Sequence, residues 1–502
     1  MAKKSDAVIG FEKQIWKAAC VLWGSISASD YRKVFIGLIF LRYISASFEK
    51  RYQELVAEGQ HYENNRDAYT EKNIFYVPES ARWGVIAAAC HSEEIGKVID
   101  DAMEAIEEEN PKLKGVLPKN YASPDLDKDK LSDVVDLFTD EIHAEDLTKS
   151  KDLLGRTYEY CIAKFAEQEG KKGGEFYTPA SIVRTIVAVL HPLGNCRIYD
   201  PCCGSGGMFV QSMKFIEAHS GRNDNVSIFG QESNPDTWKM AKINMAIRGI
   251  EANLGAYPKD TFAKDLQAGE RFDFIMANPP FNLSNWGQKN LVDDPRWGYG
   301  LPPEGNANYA WIQHMIYHLN RKGKIGLVLA NGALSTQSGG EGEIRKNIIE
   351  DDLIEVIVAL PTQLFYSVTI PVTLWFISKR KDQPGKTLFI DAREMGHMVD
   401  RKHRDFSEED IAKIADTVKA FQAGTLEDEK GFSAVVTTEE IAKQDYILTP
   451  GRYVGVKEEE EDDEPYEEKM VRLTAELSGL FAKSHALEKE IKEKLGEIGY
   501  EI

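Results

Sequence analysis

Between Cys196 and His219 the chain reads as a short buried strand, a glycine-rich turn and a helix, and that order restricts the possible folds more than any other stretch. Cys196-Arg197-Ile198-Tyr199 is compact and mostly apolar. Asp200-Pro201-Cys202-Cys203-Gly204-Ser205-Gly206-Gly207 is dominated by turn formers, and Phe209 to His219 carries helical spacing. Glycines in such a turn let the backbone approach a ligand closely, and the helix N-terminus that follows favours an anionic group. In the next unit, the predicted strand Val226 to Gln231 delivers Glu232 at its C-terminal end, where doubly wound folds place the carboxylate that takes ribose hydroxyls. The interval from Asp200 to Glu232 exceeds the usual ~20 residues, and the polar insertion Ser220 to Asn225 accounts for the excess. The pattern predicts an α/β, Rossmann-like domain with a nucleotide-type ligand at the carboxyl ends of its strands. A dinucleotide cofactor stays open at this point, although the glycines depart from the G-x-G-x-x-G order.

A second motif narrows the chemistry. Asn278-Pro279-Pro280-Phe281 ends the apolar run Phe272-Asp273-Phe274-Ile275-Met276-Ala277, which reads as a buried strand. A lone Asn-Pro-Pro is also compatible with a plain turn after a strand. An exocyclic amine on a base or amide is a weak nucleophile because its lone pair is delocalised. The Asn278 amide oxygen and the Pro279 carbonyl offer one acceptor each for its two N–H groups, drawing the nitrogen towards sp³ character. The prolines fix φ, and Phe281 offers a face on which an extruded base can stack. Joined to the glycine-rich unit, this favours S-adenosylmethionine over a dinucleotide.

These stretches together resemble the DNA-methylating (modification) subunits of type I restriction–modification systems, of the N6-adenine methyltransferase class. The likeness rests on Gly174-Glu175-Phe176-Tyr177-Thr178-Pro179, Asp200 to Phe209, Gly230-Gln231-Glu232, Lys259-Asp260-Thr261, Asn278 to Phe281, Leu360-Pro361 with Leu364-Phe365-Tyr366, and Pro450 to Gly455. Phe11 to Leu55 resembles the helical amino-terminal domain of that family. Cys202-Cys203 stands where relatives commonly carry small residues. The resemblance implies an S-adenosylmethionine-dependent enzyme in which Asn278, Pro279, Pro280 and Phe281 form the catalytic element. Glu175, Phe176, Tyr177, Thr178, Pro179 and Ala180 would line the methionine end of the cofactor. Asp200, Gly204, Ser205, Gly206 and Gly207 would supply the glycine-rich turn, and Glu232 the ribose acceptor. Asp260 would accept from the adenine amino group of the cofactor, with Asp265 as a competitor. It also implies partners: a specificity subunit that brings two modification subunits to double-stranded DNA, and a restriction subunit.

Charge agrees with that division of labour. The net charge of −20 is the opposite of what a self-sufficient DNA binder carries. Part of it is local, since Glu458 to Glu464 is an acidic run with the character of a linker. Six cysteines without a C-x-x-C pair, and no secretory leader, suggest a reducing cytoplasm. The longest apolar stretch, Val34 to Leu41, is far shorter than the ~20 residues of a membrane helix and suits a buried helix. No metal is expected, because no metal-binding His and Cys spacing stands out.

Three segments are expected: a helical amino-terminal domain over 1–153, the methyltransferase domain over 154–456, and an acidic linker with a carboxy-terminal helix over 457–502. In the first, Tyr31, Val34, Phe35, Leu38 and Leu41 predict one wide apolar helical face with Arg42 at its edge. In the second, Ala180 to Val187 predicts a helix opened by a first-turn proline. The irregular stretch Asn282 to Asn308 is long enough to close over an acceptor, with Trp286 or Trp297 either stacking on it or packed in the domain. His314 reads as a satisfied buried histidine. In the third, Leu473, Leu477, Leu480, Leu487, Ile491 and Ile498 form a heptad seam, open to its own domain or to a partner helix. Two alternatives stand beside adenine methylation: a protein glutamine-N5 methyltransferase, which normally has tyrosine where Phe281 stands, and a non-catalytic assembly subunit.

Overall fold

The computed structural model describes residues 16, 20, 28–59, 61–140, 153–169, 178–220, 225–365, 370–401, 403–456 and 466–497. Glu175, Phe176, Tyr177, Tyr366, Ile498 and the acidic run Glu458 to Glu464 lie outside these residues, as does Gly221 to Asp224 of the polar insertion.

A helical layer comes first: α1 (Ala28–Glu58), α2 (Asp67–Thr70), α3 (Trp83–Ala88), α4 (Ile95–Glu109), α5 (Lys128–Asp140) and α6 (Leu153–Glu169). The apolar run predicted as a buried helix is the middle of α1. Its burial is wider than the five-residue face read from periodicity, because Ile36, Ile39, Phe40 and Ile44 are buried as well. Arg42 is no edge residue either. It is 7 % exposed, its Nε donates to the Phe138 carbonyl at 3.1 Å, and its guanidinium lies 5.3 Å from the centre of the Trp83 ring. Helices packed on several sides of α1 turn what resembled a boundary into interior, and a buried guanidinium is tolerated when its donors are met.

The rest of the compact unit, which ends at Val454, is built on a sheet. Its strands are β1 (Arg197–Asp200), β2 (Ser227–Gly230), β3 (Ala252–Asn253), β4 (Phe272–Ala277), β5 (Leu319–Ala330), β6 (Ile354–Ala359), β7 (Val372–Ser378), β8 (Lys386–Asp391) and β11 (Ser433–Thr437). A separate ribbon pairs β9 (His397–Met398) with β10 (Arg404–Asp405). The order across the large sheet is β11-β8-β6-β7-β5-β4-β1-β2-β3. Strands β3 to β5 are mutually parallel in that order, whereas β7 runs antiparallel between β5 and β6. The predicted strands are found where expected, and the order crosses over beside β1, which is where such sheets bind ligands.

Helices α7 (Ala180–Leu190), α8 (Gly207–Ser220), α9 (Pro235–Ile247), α10 (Asn308–His318), α11 (Glu341–Glu350), α12 (Glu408–Gln422) and α13 (Thr438–Ala442) cover the sheet. Strand alternation assigns them to faces. Met276, Val328 and Phe376 share one core with Ile186 of α7, Phe209 of α8 and Ile414 of α12. Ile275, Ala277, Leu327 and Trp375 share the other with Ile312 of α10 and Ile348 of α11. Covered on both sides, β6 and β7 are buried along their whole length. Helix α9 joins the layers: Trp238 and Ala241 enter the sheet core, while Met240 and Ile243 enter the helical core with Tyr158, Ile162 and Phe165 of α6. Pro179 is not in the first turn of α7 but just before it, with ψ of 139°, so that Ala180 is the first helical residue.

The second unit, Gly455 onward, contains α14 (Tyr466–Glu497). Its seam residues Leu473, Leu477, Leu480, Leu487 and Ile491 are all exposed. Among the described residues no helix is long and apolar enough to cross a membrane.

One contact sets how α7 lies on the sheet. A Cβ on Gly326 of β5 would fall 2.4 Å from Ile186 Cγ2 and 3.0 Å from Leu190 Cδ1. We expect Gly326→Ala to push α7 outward and lower stability by about 1–3 kcal/mol, the usual cost of overpacking. Urea denaturation checks this.

Candidate functional site

The predicted residues that lie among the described ones gather at the carboxyl edge of β1, β2 and β4, while Glu175, Phe176 and Tyr177 lie outside them. Asp200 closes β1, opposite Gly230 of β2, and Asn278 follows β4 directly. The turn after β1 is held by Asp200 itself, whose Oδ1 accepts from the Cys202 amide at 3.0 Å, while its carbonyl accepts from the Gln231 amide at 3.0 Å. Gly204 and Gly206 have φ of 53° and 81°, values that disfavour side chains. At Gly206 a Cβ would also meet Met245 Cε at 2.9 Å. Glu232 links the units: Oε2 accepts from the Gly204 amide at 3.0 Å and Oε1 from the Asn234 amide at 2.8 Å. Oε1 also accepts from the Ser233 hydroxyl at 3.3 Å.

Gln231, quoted above only as part of a motif, positions the third loop. Its side chain donates to the carbonyls of Lys259 and Lys264 at 3.0 and 2.8 Å and accepts from the Leu266 amide at 3.0 Å. Thr261 adds a 2.6 Å hydrogen bond to the Pro201 carbonyl. Asp260 is thereby brought beside the glycine-rich turn, half-buried, with Oδ1 accepting from the Ala263 amide at 2.7 Å. Asp265 is engaged elsewhere, accepting from His318 Nε2 at 2.8 Å.

Thr178 and Ala180 share a small recess with Ser205 and Gly207, so the segment ahead of α7 and the glycine-rich turn meet. Tyr158 and Glu159 of α6 and Asn244 of α9 complete it, and Asn244 donates to the Ser205 carbonyl at 2.7 Å. Pro179 is buried. From the same side, Thr178 Oγ1 accepts from Asn278 Nδ2 at 2.8 Å. The Asn278 Oδ1 atom is enclosed and has no hydrogen-bond partner among the described residues. Pro279 is buried, Pro280 half-buried, and Phe281 meets Phe365 edge-on with ring centres 6.2 Å apart. Sequence reasoning missed the Thr178–Asn278 pair because its members are a hundred residues apart.

The segment after the tetrapeptide is a closed, packed loop. Asn282 and Asn308 join its ends through two hydrogen bonds of 3.0 and 2.9 Å. Trp286 and Trp297 are buried, and both pack near Phe262. Arg296, 6 % exposed, donates to the carbonyls of Thr261 and Phe262 at 3.0 Å each and pairs with Asp294. His314 lies between Tyr199 and Arg296, each 3.2 Å from one ring nitrogen. Burial pushes its imidazole well below the ordinary value, so it is neutral. Asp265, His314 and His318 lie close enough to hold a metal ion, a grouping that the four-residue spacing of the two histidines on α10 signalled and the sequence reading passed over. Their ring nitrogens already face protein partners, and the Arg296 charge opposes a cation.

Burial also governs acidity near the turn. The thiols of Cys202 and Cys203 are pushed far up, chiefly by burial and then by the charge of Asp200. Asp200 is raised to about 7, by burial first and with the Glu232 charge adding to it.

An α/β sheet with a glycine-rich turn at the β1 edge and an Asn-Pro-Pro-Phe element beside it has the build of a group-transfer enzyme of the nucleotide-cofactor type. Comparisons make the assignment specific. The N-6 DNA Methylase family profile matches residues 149–462, and that of the HsdM N-terminal domain matches 11–138. The chain is 52% identical to the type I restriction enzyme HindI methylase subunit of Haemophilus influenzae, over 81% of this chain and 93% of that one. It is 41% identical to the MjaIX methylase subunit of Methanocaldococcus jannaschii, over 98% and 92% respectively. The crystal structure of the type I restriction-modification system methyltransferase subunit from Streptococcus thermophilus superposes with a TM-score of 0.76, at 25% identity, covering 89% of this chain and 99% of that one. The chain belongs to the N-6 DNA methylase family, among the methylase subunits of type I restriction enzymes. The glutamine-amide alternative is not favoured.

Asp200 makes stability pH-dependent. An aspartate titrates near 3.9 when unfolded and near 7 here. Between these values the unfolded state sheds a proton that the folded state keeps, so stability falls as pH rises. Asp200→Asn should be more stable than the native chain at pH 8, by up to about 4 kcal/mol, and the gap should shrink towards pH 4. Denaturant titrations at both pH values measure it.

Proposed function

We propose that this chain transfers a methyl group to N6 of an adenine turned out of duplex DNA, using S-adenosylmethionine, as the modification subunit of a type I complex. The observation that carries this reading is the Asn278 amide: its nitrogen is tied to Thr178 and its enclosed oxygen is left as an unmatched acceptor. An unmatched buried acceptor is costly, and an exocyclic N–H is the donor that matches it. The bond to Thr178 sets which end of the amide faces the acceptor. The Pro279 carbonyl takes the second N–H, and Phe281, steadied by Phe365, takes the face of the base.

The residues at this edge carry the kinds of donor and acceptor this chemistry requires. The glycine-rich turn Gly204, Ser205, Gly206 and Gly207 and the start of α8 suit a carboxylate. Asp200 fixes that turn, and Glu232 suits vicinal hydroxyls. Asp260 suits an adenine amino group. Thr178, Pro179 and Ala180 border the methionine end, and Glu175, Phe176 and Tyr177 extend that border by resemblance. S-adenosylmethionine, when bound, supplies a methyl group on a positively charged sulfur. The protein holds the amine in line with that methyl group and accepts its hydrogen bonds. Without a general base, the nitrogen loses its proton after the N–C bond forms. We keep the division into 1–153, 154–456 and 457–502 as functional segments, for positioning, catalysis and assembly.

Assembly with a specificity subunit, a second modification subunit and a restriction subunit fits a chain of charge −20, and the cytoplasm is where such a complex meets DNA. The exposed seam of α14 is the docking element for the specificity subunit. Sequencing methylated adenines in host DNA with and without the gene tests the reading as a whole.

Asn278→Ala should lower turnover by about 10²-fold or more while cofactor affinity, read by calorimetry, stays near native. Thr178→Val should lower turnover with little change in duplex affinity, and Thr178→Ser should restore it; equal turnover in all three would remove the amide from the mechanism.

Deleting 467–502 removes the seam. Folding and cofactor binding should persist while co-purification with the specificity subunit is lost.

A further inference from the structure

The chain after β8 does something the methylation reading leaves unused. Strand β8 is parallel to β6, with Asp391 opposite Ala359, so it ends on the same carboxyl edge of the sheet as the site. From there the chain leaves the sheet as the β9–β10 ribbon, Arg404 opposite Met398. Its root is tightly fixed. The Arg404 amide donates to the Gln363 carbonyl at 2.9 Å, and the Arg404 guanidinium donates to the Met395 carbonyl at 2.8 Å. Gly396 has φ of 80° and approaches the Asp405 carbonyl so closely that a Cβ would lie 2.8 Å from it. Gln363, itself in the left-handed region at φ 69°, is two residues from Phe365, the ring that meets Phe281. The ribbon is thus built onto the loop that supports the base-stacking residue.

Its far end carries an apolar pair. The Val399 amide donates to the His403 carbonyl at 2.8 Å, and Asp400 is paired with His403. That closure leaves Met398 and Val399 exposed, at 43% and 63%, with Arg401 exposed beside them. Arg393 is held by Asp391 and Arg404 by the root, which leaves, among the described residues, the Arg401 guanidinium as the exposed cation next to the apolar pair. A β-ribbon fits a DNA groove, and apolar side chains are what groove-binding proteins insert between base steps to unstack them. A protein partner would equally cover the apolar pair, but the ribbon's place on the same carboxyl edge as the site and the connection of its root to the Phe365 loop that meets Phe281 favour the nucleic acid that presents the base there.

We propose that the β9–β10 ribbon enters a groove of duplex DNA beside the target and that Met398 and Val399 wedge into the base stack, holding open the space the adenine leaves as it moves onto Phe281. This rests on the adenine-methylation reading above. Flipping a paired base costs the energy of its pairing as well as of its stacking, and an unpaired base costs less, so the wedge should matter most for paired targets.

The test uses the assembled modification complex on duplexes containing its methylated sequence, with the target adenine either paired or opposite an abasic site. For Met398→Ser/Val399→Ser we expect at least a tenfold lower single-turnover methylation rate on the paired duplex and a rate within twofold of native on the abasic one. Fluorescence of 2-aminopurine at the target should fall in parallel. Met398→Leu/Val399→Ile, which keeps the apolar volume, should restore the paired rate. Equal rates for native and serine variant on the paired duplex, equal losses on both duplexes, or failure of the serine variant to assemble with the specificity subunit would each overturn the wedge. If the native complex methylated neither duplex, the adenine-methylation reading itself would fall, which the paired-to-abasic comparison keeps separate.

Discussion

The carboxyl edge of this sheet depends on one buried amide. Gln231, fully enclosed, joins β1 to β2 through its backbone and holds the 259–266 loop through its side chain. Every polar group of that residue is matched, which is what makes a buried amide an asset instead of a cost. Glu232 follows it directly, so the proposed ribose acceptor inherits its position from its neighbour. Removing the side chain would leave three backbone groups without partners, each a loss of about 1–3 kcal/mol. The loop carrying Asp260 would come adrift from the glycine-rich turn.

What could be read in advance followed from locality. The strand Phe272 to Ala277, the turn at Asp200 to Gly207 and the helix after it are encoded by runs of neighbouring residues, and all are found. Glu232 at the end of β2 followed from the same logic. Long-range pairing was not legible. The antiparallel β7 between β5 and β6, the enclosure of Arg42 and the bond from Asn278 to Thr178 each join residues far apart in the chain. The proline before α7 illustrates a smaller limit. Its fixed φ suits both the cap and the first turn, so the residue type alone cannot choose between them. Family likeness supplied the roles of Glu175 to Tyr177, and these lie outside the described residues.

Charge is distributed to match a shared task. A strongly acidic chain repels a phosphate backbone over a Debye length or more, and the ribbon beside the proposed acceptor site offers an apolar pair with one exposed arginine, Arg401, next to it. The exposed leucines of α14 suit the different kind of contact proposed for them, one with an apolar partner. On the proposed reading, an enzyme arranged this way engages DNA at the spot where chemistry is done and leaves long-range attraction to another chain. Weak intrinsic affinity then becomes useful, because a free subunit is not held on the genome.

The loop from Asn282 to Asn308 begins and ends at the same place. Its two terminal asparagines close it with their own side chains, so β4 and α10 do not sense how much chain lies between them. Loop-closure entropy grows only slowly with length. The segment therefore has the construction of a cassette: evolution can lengthen, shorten or exchange its outer part while Asn278 stays put. The condition is that the exchange keeps Arg296, which fastens the loop to Thr261 and Phe262. Variation among enzymes of this kind in how they meet their DNA has, at this loop, a place to accumulate without disturbing catalysis.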